Sequence, residues 1–311
     1  MKLRMRRPGR PGHRKLKYIA ILPSLITLMN AVCGFMAILY ASRISAAEVL
    51  VFDRPGFTLF ALSGYMIFLA MIADVLDGRV ARLSKTTSSF GGQLDSLSDA
   101  ISFGVAPAFL MMKLVDAYLG FWGNSSPAIA LIISRCLLFI AILYVICAVI
   151  RLARFNVENE EDESAHMSFS GLPSPAAAGV VVSLVVFQQD LLPRLADQSP
   201  ELFRVIEGLT IWALPIATLA AGILMITRIR YAHVVNYFLR GKKPFTTFLI
   251  VLFAVLFLLW YIQLAMVIGF CGFALTGLVR WVWRLVFGKK KPAEAAVSPA
   301  AEPPAADGPG A

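Results

Sequence analysis

Four aspartates fall in two closely spaced pairs: Asp74 and Asp77 lie three residues apart, Asp95 and Asp99 four apart. On α-helices each pair shares one face. Gly78 and Ala81 lie on the stripe of Asp74, and Gly91 precedes Asp95 by one helical turn. Each acidic face therefore has a small residue beside it, where a bulky ligand can approach the backbone. Four carboxylates held together repel one another, and Arg79 and Arg82 offset only part of that charge. Oxygen-only donors at this density suit hard divalent cations such as Mg²⁺ or Mn²⁺. Two ions would nearly neutralise the cluster and could clamp a diphosphate. Any one of these aspartates alone reads as solvated polarity near a helix end; four at helical spacing do not.

The elements that must carry them are membrane helices. The chain has 311 residues, of which 58% are hydrophobic and only 15% charged, with mean hydropathy +0.73. A soluble domain needs a larger charged fraction to cover its surface. Apolar runs long enough to cross about 30 Å of hydrocarbon fall at Leu22–Ala41, Phe57–Ala73 (helical on to Leu83), Ser96–Tyr118, Ala128–Ile150, Leu172–Gln189, Leu209–Ile226, Phe245–Tyr261 and Gln263–Val282. A mixed loop is expected around Asp190–Glu207. From Pro244 to Val279 no residue is charged; as one helix that stretch would run roughly 54 Å, too long for one crossing. Both its flanks are basic, so it is expected to turn back near Trp260–Gln263. The fold expected is all-α, a polytopic transmembrane helical bundle of about eight spans.

Lysine and arginine orient it. The arm before the first span, the Arg79–Lys85 link, Arg151 and Arg154, Arg228–Lys243 and the C-terminal stretch are basic, whereas the intervening connections are poor in both residues. Both termini are therefore expected in the cytosol. About 17 apolar residues precede Asp74, roughly 25 Å of helix, which sets the first acidic pair at the cytosolic end of its span. Asp95 and Asp99 open the next span from the same side, after the short link Leu83–Phe90.

The net charge of +10 suits anionic headgroups and cytosolic retention; a nucleic-acid role for the Lys2–Lys17 segment is not expected. The first span follows a basic arm, but Ala-Ser-Arg at its end is a poor cleavage site, so it is read as uncleaved. Three regions result: a basic arm over 1–17, a transmembrane domain over 18–287, and a tail over 288–311 that is Ala/Pro/Glu-rich and expected to be disordered. Cys33, Cys136, Cys147 and Cys271 lack metal or disulfide spacing. Asn30, polar within the first span, reads as a helix–helix hydrogen bond rather than a ligand.

Read together, Asp74-x-x-Asp77-Gly78-x-x-Ala81-Arg82, eight residues, and Gly91-x-x-x-Asp95-x-x-x-Asp99 resemble the signature of the CDP-alcohol phosphatidyltransferase family at every fixed position. The resemblance implies metal ligation by Asp74, Asp77 and Asp95. It implies for Asp99 both ligation and the role of general base, and contact with the CDP diphosphate for Gly78, Ala81, Arg82 and Gly91. Three further stretches look like those of the membrane-bound, phosphatidylserine-forming branch: Leu22-Pro-Ser-Leu-Ile-Thr-Leu-Met-Asn30-Ala-Val-Cys-Gly34-Phe, Arg151-Leu-Ala-Arg154-Phe-Asn156, and Gly171-Leu-Pro-Ser-Pro-Ala-Ala-Ala. That branch implies transfer of a phosphatidyl group from CDP-diacylglycerol to L-serine with release of CMP, a homodimer, and a bacterial inner membrane with the site facing the cytosol. Arg151, Arg154 and Asn156 could hold the serine carboxylate or the lipid phosphate; they read equally as ordinary cytosolic-side residues. Two alternatives stay open. One keeps the chemistry and changes the acceptor to inositol phosphate, glycerol phosphate or choline. The other is a divalent cation transporter, which would also bury acids but nearer mid-membrane and in repeated halves.

Overall fold

The computed structural model describes residues 13–43, 58–84, 89–121, 127–161, 171–196, 199–227, 229 and 261–287. Among them there is no strand. The helices are α1 (His13–Ser42), α2 (Leu59–Ser84), α3 (Ser89–Asp99), α4 (Ala106–Phe121), α5 (Pro127–Glu161), α6 (Ser174–Val186), α7 (Leu192–Ala196), α8 (Pro200–Ile226) and α9 (Ile262–Phe287). A π-helical turn, Ala100–Val105, joins α3 to α4 in one rod, and a second, Phe187–Leu191, joins α6 to α7.

Seven of the described helical segments are long and apolar enough to cross a membrane. But for Tyr261, the span expected over Phe245–Tyr261 lies outside the described residues, as do the tail and most of the basic arm. The arm's last residues, 13–17, are already helical. Of the turn expected near Trp260–Gln263, Ile262 and Gln263 are the first residues of α9, and Trp260 lies outside the described residues. The mixed loop expected around Asp190–Glu207 is a correction: α7 runs to Ala196 and α8 starts at Pro200. Asp190 is buried inside the bundle instead of solvated. Charge suggested a loop there, but Arg194 on the same rod and neutral donors from α2 and α9 absorb that charge.

Bilayer embedding explains the outer surface. Val32 and Phe35 on α1 and Ile132 and Phe139 on α5 are all more than half exposed, a costly arrangement in water and a neutral one against lipid tails. The interior is organised around the α6–α7 rod, which is 78% buried along its apolar stretch within Ser174–Arg194, against 33% within Ser24–Ser42 of α1. Within the rod, α6 reads Ser-Pro-Ala-Ala-Ala-Gly-Val-Val-Val-Ser-Leu-Val-Val and is small and apolar on every side, as a helix surrounded by others must be. It packs against α2, α4, α8 and α9. α1 lies along α2, and α5 along α8.

The entry to α6 is stitched to the far end of α8. The backbone N–H groups of Gly171 and Leu172 donate to the carbonyls of Ile229 and Leu224 at 2.9 and 3.0 Å. Gly171 has φ of +95°, and a Cβ there would run into the carbonyl oxygen of Met225. Only glycine serves at such a position.

A polar knot closes the other end of the α6 rod. Asp190 accepts from Tyr65 of α2 through Oδ2, which also accepts from Gln263 Nε2 of α9 at 2.8 Å. Arg194, one turn on, pairs with Oδ1. Beside it Thr58 donates to Gln189 Oε1 at 2.8 Å. Ser174 and Asp190 are sixteen residues apart, about 24 Å at helical rise.

Candidate active site

Asp74 and Asp77 stand near the C-terminal end of α2, and Asp95 and Asp99 on the short α3. The two helices bring three of the four together: one carboxylate oxygen each from Asp74, Asp95 and Asp99 lies within 4.8 Å of the others. Asp77 is outside that triad, yet it is buried, as is Asp99. Asp77 Oδ2 accepts from the Thr27 hydroxyl. Its Oδ1 is buried with no hydrogen-bond partner. A buried carboxylate oxygen without a donor is expensive, and a cation beside it would remove that cost. The donor set fits a hard divalent ion: carboxylate oxygens only, from neighbouring helices, with at least one not otherwise satisfied.

The third wall is α1. Asn30 Nδ2 donates to Asp99 Oδ1 at 3.0 Å, and Ser102, in the π-helical turn that follows Asp99, donates through Oγ to the Asn30 carbonyl at 2.8 Å. The approach is so close that a Cβ on Gly34 would overlap Ser102. Asn30 does make the interhelical hydrogen bond expected of it, and its partner is one of the four acids. Thr27 carried no expectation. The signal available was its spacing: Thr27 and Asn30 are three apart, on one face of an otherwise apolar helix.

The fourth wall is α5, whose helix continues past the expected end at Ile150 to Glu161. Residues 151–161 contain no proline or glycine to stop it. Arg151, half-buried, donates through Nη1 to Ser174 Oγ at 2.6 Å, and its charge reaches both Asp74 and Asp99. Two separate sequence stretches, Arg151–Asn156 and Gly171–Ala178, thus meet at one contact. Asn156 Oδ1 accepts from Ser96 Oγ on α3 at 2.9 Å, one residue after Asp95. Arg154 is half-buried on the same helix. Gly78 is exposed and Gly91 half-buried on the acid-bearing helices. Ala81 and Arg82 belong to α2, but their side chains lie outside the described residues.

Fold and site together define a multi-pass membrane protein with a carboxylate centre suited to a divalent cation. The chain belongs to the CDP-alcohol phosphatidyltransferase family, whose model matches residues 20–221. That family is divalent-metal dependent. Among curated proteins, the chain is similar to a CDP-diacylglycerol–serine O-phosphatidyltransferase of Helicobacter pylori (strain ATCC 700392 / 26695). The two are 31% identical over 277 residues, 88% of this chain and 97% of the relative. Proteins of the same name from Methanocaldococcus jannaschii and Saccharomyces cerevisiae match at 35% and 34% identity. Those matches cover 54% and 51% of this chain, and 61% and 51% of the relatives.

Proposed function

We propose that the chain is a phosphatidylserine synthase, transferring the phosphatidyl group of CDP-diacylglycerol to the hydroxyl of L-serine. The observation that carries this reading is the near full-length match to the Helicobacter pylori enzyme, joined to a triad of converging carboxylates at the signature positions. In the reaction the serine oxygen forms a bond to the lipid-bearing phosphorus, the phosphorus–oxygen bond to CMP breaks, and the serine hydroxyl proton goes to a base.

Asp74, Asp95 and Asp99 would hold the divalent ion, with Asp77 contributing its unpartnered oxygen; Mg²⁺ or Mn²⁺ fits, and four carboxylates have room for two. When bound, such an ion polarises phosphate and neutralises charge as the bond to CMP breaks. Asp99 is proposed as the base. Its Oδ1 is engaged by Asn30, and its Oδ2 is proposed to take the serine proton, within reach of an acceptor bound beside the triad. Gly78, Ala81, Arg82 and Gly91 would receive the CDP diphosphate. Arg151 is proposed as the cation for the serine carboxylate: it is oriented by Ser174 and stands on the acid side of α5, and Arg154 and Asn156 would support that end of the pocket. The site is proposed to face the cytosol of a bacterial inner membrane, with both termini on that side, in a homodimer. The domain is proposed to span 18–287 between a basic arm and a disordered tail.

The test is product analysis. Purified protein in detergent or vesicles, given CDP-diacylglycerol, Mg²⁺ or Mn²⁺ and labelled serine, should yield phosphatidylserine and CMP, and chelation should stop both. Turnover with inositol phosphate, glycerol phosphate or choline in place of serine would reassign the acceptor. Metal flux through proteoliposomes that ignores CDP-lipid would replace the enzyme with a transporter.

A further inference from the structure

The four aspartates are not treated alike by their surroundings. Asp77 and Asp99 sit on different helices, yet each spends one carboxylate oxygen on α1: Asp77 Oδ2 on the Thr27 hydroxyl, Asp99 Oδ1 on Asn30 Nδ2. The two donors are one helical turn apart on a single face. α1 is in turn tied to the α3–α4 rod by the bond from Ser102 to the Asn30 carbonyl and by the close approach at Gly34. A carboxylate oxygen only accepts, so the amide edge facing Asp99 is the NH₂. This orientation leaves Asn30 Oδ1 buried without a partner. A side chain that merely filled space or joined two helices would gain nothing from that cost.

We propose that Thr27 and Asn30 are positioning residues, a two-point clamp that sets the spacing and the carboxylate planes of Asp77 and Asp99 before any ion arrives. The clamp decides which oxygens remain for the ligand: Oδ1 of Asp77, which is buried and unpartnered, and Oδ2 of Asp99. Acids pre-set in this way lose little freedom when a cation binds, so affinity rises without any added ligand. The inference rests on the metal role of the acidic centre and does not depend on which alcohol is the acceptor.

The test is Mn²⁺ binding to the full-length protein in detergent without lipid substrate, read from the electron paramagnetic resonance signal of free Mn²⁺. Thr27→Val and Asn30→Leu keep the branching and remove the donor, the leucine being somewhat larger; each is expected to weaken Mn²⁺ binding about tenfold or more. Thr27→Ser, which restores a hydroxyl, should bind within about twofold of the parent. Ser63→Ala removes a different α1–α2 bond, the 2.7 Å donation to the Ala37 carbonyl. It should lower the melting temperature and leave Mn²⁺ binding unchanged. Asn30→Ala asks for no extra space and carries the same two outcomes if leucine does not fit beside Ser102. Parental Mn²⁺ affinity in folded Thr27→Val and Asn30→Leu or Asn30→Ala would overturn the clamp. A parent protein that binds no Mn²⁺ would remove the metal centre and the clamp with it. Good Mn²⁺ binding without a product from serine would remove only the acceptor assignment.

Discussion

Two ends of the bundle each bury aspartate, and they handle it in opposite ways. At Asp190 one carboxylate meets Arg194, Tyr65 and Gln263, so both of its oxygens are engaged. At the other end Arg151 offsets charge at Asp74 and Asp99 alone, Asp77 and Asp99 accept from neutral donors of α1, and Asp77 Oδ1 is left with none. The first arrangement satisfies the Asp190 carboxylate and ties α2, α9 and the α6–α7 rod together, although Gln188 in the same π-helical turn is buried with both amide atoms unpartnered. The second leaves a carboxylate oxygen free for a cation. Buried charge alone does not mark a functional site in a membrane protein; a deficit of partners around it does.

The contrast can be broken by substitution. Asp99→Asn should lower turnover by about a thousandfold or more if it removes both the base and an ion ligand. Binding of CDP-diacylglycerol should survive in part, checked by direct titration beside product analysis. Full activity in that variant would end the base assignment. Arg151→Ala should raise the KM for serine by about ten- to a hundredfold, the worth of one charge-assisted hydrogen bond, with a smaller change in KM for CDP-lipid. An equal loss for both substrates would mean that Arg151 supports the acids and not the acceptor. Asp190→Asn should cost about 1–3 kcal/mol of stability, seen as a lower melting temperature, while activity per folded molecule stays within about twofold. A turnover defect at Asp190 as deep as that at Asp99 would erase the distinction between the two ends.

Much of the acidic end was legible because helical spacing is a geometric statement. Residues three and four apart share a face wherever the helix goes, so the pairing of Asp74 with Asp77 and of Asp95 with Asp99 could be read directly. Convergence of the two helices followed from the short link between them. The partners from α1 and α5 could not be read this way. Which face of α1 meets Asp77 depends on packing between segments 50 residues apart, and a lone threonine in an apolar helix has many uses. Arg151 and Ser174 were each noticed, but their contact depends on how α5 and α6 pack, which spacing along the chain does not give. Asp190 misled because charge near an expected span end resembles a loop; its partners Tyr65 and Gln263 come from positions 125 and 73 residues away.

The π-helical turn over Ala100–Val105 has a consequence for the angular phase of its rod. A π turn holds an additional residue, so the helix after it is offset by about 100° from where an uninterrupted α-helix would put it. Upstream of the offset, Asp95 and Asp99 point to the ionic centre; downstream, Leu110, Met111 and Leu114 point to the apolar interior. Loss of one residue from that turn would regularise the helix and leave each of its halves intact. It would also set them out of step, so that the rod could seat its greasy half or aim its acids, but not both.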